Sequence, residues 1–101
     1  METRAINRVF GDKAKRLPVS SIKSMIGDTF SASGAMNVAA SIGAMNEGFI
    51  PPTINYEVRD ERCDLDYVPN ESRNAKISKI LIDSFTPTGV NSSLVIKSIL
   101  N

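Results

Sequence analysis

The chain has 101 residues, 42% hydrophobic and 23% charged, which allows one domain at most and excludes wholesale disorder. Twelve basic residues against eleven acidic ones leave a net charge of +1, no footprint for nucleic acid, and no apolar run is long enough to span a bilayer. With no histidine, the usual general base and the commonest metal ligand are both missing, so no metal or other cofactor is expected.

In chain order, "ETRAINRVF" (Glu2 to Phe10) places Ala5, Ile6, Val9 and Phe10 on one face and predicts a helix closed by Gly11. "GDKAKRLP" reads as a polar connector whose Lys13, Lys15 and Arg16 form a solvated cluster. "VSSI" reads as a short strand feeding a turn at Gly27 and Asp28. A second helix is expected from about Ser31 to Glu47, ended by Gly48. Ala, Ser, Gly and Met surround it almost completely, the pattern of a helix buried on several sides and approached closely by its neighbours.

"FIPPTIN" leaves that helix in an extended path, because its prolines have no N–H and a fixed φ. Tyr56 to Asn74 reads as a charged, irregular segment, long for so small a domain. Within it Cys63 stands among acids that disfavour a thiolate, and a single cysteine suits a reducing, cytoplasmic setting. No N-terminal stretch resembles a signal peptide, so the glycosylation patterns at Asn70 and Asn91 read as chance matches. Lys76 to Phe85 and Ser92 to Leu100 then read as two strands joined through "TPTGVN" as a hairpin. A helix covered on all sides needs more layers than these elements supply, which points to a part of something larger.

The segment "VSSIKSMIGDTFSASGAMNVAASIGAMNEGFIPPTIN" resembles the K-S-x-x-G-H motif and buried helix of the β-ketoacyl-acyl carrier protein synthases. "CDLDYVPNESRNAKI" and "DSFTPTGVNSSLVIK" resemble the segments that follow in that family and its polyketide relatives, chain-length factors included. The resemblance runs the length of the chain. It implies an α/β architecture, the C-terminal part of a thiolase-like fold, with residues 1–101 forming a partial lobe that is incomplete without a partner lobe.

It also implies where the chemistry lies. Family members use a cysteine nucleophile and two histidines, and the cysteine and first histidine belong to family segments upstream of Met1. The second histidine should stand at Asp28, the end of "KSMIGD", with the motif lysine at Lys23. An ionised aspartate only accepts hydrogen bonds, whereas a neutral imidazole can donate one to a developing oxyanion. Lys23 is expected to pair with a nearby acid, Asp28 among the candidates. Asp28 also reads as an aspartate capping the Ser31 helix.

Where the family carries G-F-G-G-T-N, this chain has Thr86, Pro87, Thr88, Gly89, Val90 and Asn91. The family phenylalanine is a gate whose N–H lines the oxyanion hole, and Pro87 at that position has no N–H to give. Two glycines that let the family loop move are replaced by Thr86 and Thr88, while Gly89 and Asn91 match. The resemblance thus implies a lobe that does not condense, either completing the fold of a partner or pairing with an active subunit as chain-length factors do. The alternative is the C-terminal piece of a split, active ketosynthase. In both cases the implied partners are a ketosynthase N-terminal lobe or companion subunit and an acyl carrier protein, in fatty-acid or polyketide elongation.

Overall fold

The computed structural model describes residues 1–99. Helix α1 spans Glu2–Phe10 and ends at Gly11, whose φ of 58° favours glycine and whose N–H donates to Asn7 O. Its inward face differs from the expected one. Thr3 is buried, with Ile6, Asn7 and Phe10 half-buried, whereas Ala5 and Val9 face solvent. Two polar residues take inward positions because the long loop offers them partners. Thr3 Oγ1 lies 2.6 Å from the Tyr67 hydroxyl, and Asn7 Nδ2 donates to Asp64 Oδ1 at 3.3 Å.

The expected polar connector is a 3₁₀ helix, Gly11–Arg16, and it buries Ala14 completely. The strand expected at "VSSI" is absent. Pro18 bridges Asp66 in parallel and the Val19 N–H donates to Asp66 O, but no neighbouring strand extends the pairing. Instead the chain makes a single helical turn, α2, at Lys23–Ile26.

A short 3₁₀ turn, Phe30–Ala32, leads into α3, Ser33–Glu47, so the regular helix begins two residues after the expected start. Gly48 closes it in the left-handed conformation, with its N–H on Ala44 O at 2.9 Å. The expectation of a helix covered all round is not met within this chain. Only Ala44 is buried, while Met36 and Ile42 remain 41% and 46% exposed.

After α3, β1 (Phe49–Ile50) pairs antiparallel with β2 (Arg73–Asn74). Pro51 and Pro52 then carry the chain extended to Thr53, which bridges Pro69 in parallel. The 56–74 segment is irregular but well tied. Tyr56 stacks on Tyr67, Asn70 bonds the Tyr56 backbone on both sides, and Arg73 forms a two-armed ion pair with Asp66. It contributes Leu65 and Val68 to a core completed by Ala14, Ala44 and Ile82.

The hairpin is present as expected, with β3 at Lys79–Phe85 and β4 at Asn91–Lys97. The first strand begins three residues later than expected, and Leu100 lies outside the described residues. The register places Ile82 opposite Leu94 and Ile80 opposite Ile96, on the side where Ile82 is buried. Helix α3 packs against β3, so these layers stand in the order helix, then hairpin.

Candidate functional site

The α2 turn is held by the extended segment opposite it. Ser20 Oγ donates to Pro51 O, the Ser21 N–H to Thr53 Oγ1, and the Ile54 N–H to Ser24 Oγ. These bonds fix the backbone that presents Lys23. Gly27 follows with φ of 78°, its N–H on Lys23 O, and reverses the chain toward Asp28.

Lys23 Nζ lies 3.8 Å from Asp28 Oδ2, so the motif lysine does pair with the acid at its own motif's end. Both side chains are about half exposed, at 50% and 53%. The other carboxylate oxygen, Oδ1, accepts the Phe30 N–H at 2.9 Å and the Ser33 hydroxyl at 3.4 Å. This corrects the capping expectation. Asp28 bonds the first N–H of the 3₁₀ turn, and α3 itself begins after Ala32 with no side-chain cap bond.

Phe30 is a residue that no sequence pattern singles out. Its φ is 52°, a left-handed conformation uncommon for a bulky residue, and its side chain is 83% exposed. The Asp28 bond to its N–H holds that conformation in place.

The 86–91 loop is a tight hairpin connection. The Gly89 N–H donates to Thr86 O at 3.0 Å and the Thr86 N–H to Val90 O at 2.9 Å. Pro87 occupies the second turn position, where its fixed φ is favourable, and Gly89 follows with φ of 89°. A Cβ at Gly89 would meet nothing within 4 Å, so backbone conformation rather than space calls for glycine there. Asn91 opens β4 opposite Phe85.

Lys23 and Asp28 therefore form one group, and Thr86, Pro87, Thr88, Gly89 and Asn91 a second. Among the described residues no hydrogen bond or ion pair joins the two. Neither group lines the open groove of about 600 Å³ between the end of α3 and Asn74–Ile77. A second groove, of about 340 Å³, is lined by the loop ion pairs and is likewise separate. Among the described residues no cluster of His, Cys, Asp and Glu could hold a metal, and no helix is long and apolar enough to cross a membrane.

Chemically, the first group offers a carboxylate already occupied by an ammonium, an amide N–H and a hydroxyl. It presents no imidazole-like donor. The second offers a tight loop in which Pro87 has no N–H to donate.

Residues 1–57 match the family model for the β-ketoacyl synthase C-terminal domain. Over all 101 residues the chain is 46% identical to 3-oxoacyl-[acyl-carrier-protein] synthase 2 of Coxiella burnetii, covering 24% of that protein. Over 80 residues, or 79% of the chain, it is 50% identical to the tetracenomycin polyketide synthase ketoacyl synthase alpha subunit of Streptomyces glaucescens, covering 19% of it. Among solved structures, 97% of the chain superimposes on 24% of a chain from a type II polyketide synthase acyl-carrier protein in complex with its ketosynthase, with TM-score 0.94 and 35% identity. The ishigamide ketosynthase/chain length factor gives TM-score 0.90 at 35% identity over 96% of the chain and 24% of its own. The chain thus spans about a quarter or less of the length of these relatives. It belongs to the β-ketoacyl synthase C-terminal domain family and has the α/β fold of the C-terminal part of its thiolase-like proteins.

Proposed function

We propose that this chain is a non-condensing ketosynthase lobe that completes or accompanies a partner bearing the earlier part of the fold. Its task is to scaffold that partner and to shape the space in which an acyl chain, delivered on an acyl carrier protein, is extended. The product class is a fatty acid or a polyketide, and the setting is cytoplasmic.

The observation that carries this reading is Asp28. The family's second histidine stabilises negative charge as decarboxylation of the malonyl unit forms an enolate. A carboxylate at that position repels both the malonate and the enolate. With Oδ2 facing Lys23 and Oδ1 accepting two hydrogen bonds, it has no donor to offer. Pro87 adds to this, since loss of one oxyanion donor alone costs about 100- to 1,000-fold in rate.

One observation favours the other reading, a split ketosynthase that condenses once assembled. The 50% identity to a ketoacyl synthase alpha subunit is high, and Lys23, Gly89 and Asn91 keep the family pattern. A chimera separates the two readings. Replacing the matched quarter of the Coxiella burnetii synthase by this chain supplies the cysteine and first histidine that the resemblance places upstream.

The expected chimera keeps the parent's assembly mass but does not condense acyl- and malonyl-carrier protein. Asp28→His alone should not restore turnover, because Pro87 still withholds its donor. Asp28→His with Pro87→Phe is the minimal set with a route to activity. Turnover with Asp28 and Pro87 in place would replace this reading with the enzyme reading.

A further inference from the structure

The hydroxyl of Thr86 is the hub of the hairpin connection. It reaches two other residues of the 86–91 loop, Thr88 and Val90.

Thr86 Oγ1 accepts the Val90 N–H at 3.0 Å, lies 3.3 Å from Val90 O as a donor, and lies 2.9 Å from Thr88 Oγ1. A hydroxyl has one proton and two lone pairs. All three are used if Thr88 donates to Thr86 and Thr86 donates to Val90 O. Around this hydroxyl the backbone closes as well, through Gly89 N–H to Thr86 O and Thr86 N–H to Val90 O. Pro87 fixes the remaining corner through its ring.

We propose that Thr86 is a latch that holds loop 86–91 in one conformation, so that this segment is a fixed wall and not a moving gate. A glycine at this position would offer no hydroxyl and far more backbone freedom. The threonine thus changes the loop in two ways at once. It narrows the φ,ψ choices and adds a side-chain bond across the turn. The wall's place beside an acyl chain rests on the proposed function, whereas the latch itself does not.

The test follows amide hydrogen exchange by NMR in the full 101-residue chain, reading Gly89 and Val90. Thr53 is the reference, since its N–H donates to Val68 O outside the hairpin. Both loop amides should exchange more slowly than in a free peptide. Thr86→Val should speed exchange at Val90 by roughly 2- to 10-fold, the worth of one net hydrogen bond, with Thr53 unchanged. Thr86→Ser keeps the hydroxyl and should match the parent chain. Free-peptide exchange at Val90 in the parent, with Thr53 still protected, overturns the latch. So does a Thr86→Val variant that exchanges at the parent's rate, or a Thr86→Ser variant as fast as Thr86→Val. Condensation by the chimera would instead sink the proposed function and leave the latch standing.

Discussion

At Asp28 one carboxylate oxygen takes the Phe30 N–H and the Ser33 hydroxyl, and the other faces the Lys23 ammonium 3.8 Å away. These contacts differ in worth. A half-exposed ion pair contributes about 0–1 kcal/mol and weakens with salt, whereas a net hydrogen bond contributes about 0.5–1.5 kcal/mol. The Phe30 N–H has the further task of holding a bulky residue at positive φ. Asp28→Ala is therefore expected to cost about 1 kcal/mol in urea unfolding, mostly through the lost acceptor. Asp28→Asn keeps an oxygen acceptor and drops the charge, so it should recover most of that loss. If Asn is as damaging as Ala, the ion pair and not the turn is the reason for the aspartate.

At the scale of elements, the 56–74 segment shows how an irregular stretch can be a structural part. Arg73 reaches across the segment to Asp66 with two guanidinium nitrogens, and the Val68 N–H bonds the same carboxylate. The Arg73 bond, with the Val68 N–H in support, holds the Asp66 carboxyl below its usual pKa. Asp64 is likewise lowered, chiefly by the Asn7 amide of α1. A depressed folded-state pKa gives stability that is present above the ordinary aspartate value, near pH 4, and is lost as pH falls through the lowered one. Arg73→Ala should therefore flatten the fall of stability between about pH 5 and pH 2 as well as lower stability at pH 7. An unchanged acid profile in that variant would remove the pair from the account.

The same segment marks the limit of what its residues declare in advance. Both main helices, the Gly48 stop, the extended proline path and the hairpin were legible, because periodicity, glycine and proline act locally. The inward turn of Thr3 and Asn7 was not legible, since it depends on Tyr67 and Asp64 some sixty residues away. The strand expected at "VSSI" failed for a related reason: pairing needs a neighbour, and only Asp66 answers. In the candidate site, the Lys23–Asp28 pair and the prolyl turn could be anticipated. Phe30's conformation and the Thr86 hydroxyl network could not, because no local pattern encodes a positive φ at phenylalanine or a bond between loop hydroxyls.

At the scale of the whole molecule, the hairpin has apolar residues on both faces. Ile82 is buried on one side, while Leu81 and Val95, paired on the other, stay 44% and 64% exposed. A strand that is apolar on both faces suits a sheet covered on both sides. Helix α3 also covers only one side of itself, leaving Met36 and Ile42 open, and Phe30 and Phe85 add exposed rings. Large apolar side chains left exposed on both the hairpin and α3 favour an interaction face or self-association. If a companion completes this lobe, the isolated chain should associate to cover these faces, and the mass of the purified chain reads that out. Light scattering across a concentration series, with a dye that brightens on apolar surface, measures it. The expected result is a mass that climbs above 11.0 kDa with concentration, together with dye binding. A monodisperse 11.0 kDa monomer at every concentration, with the dye dark, would contradict it.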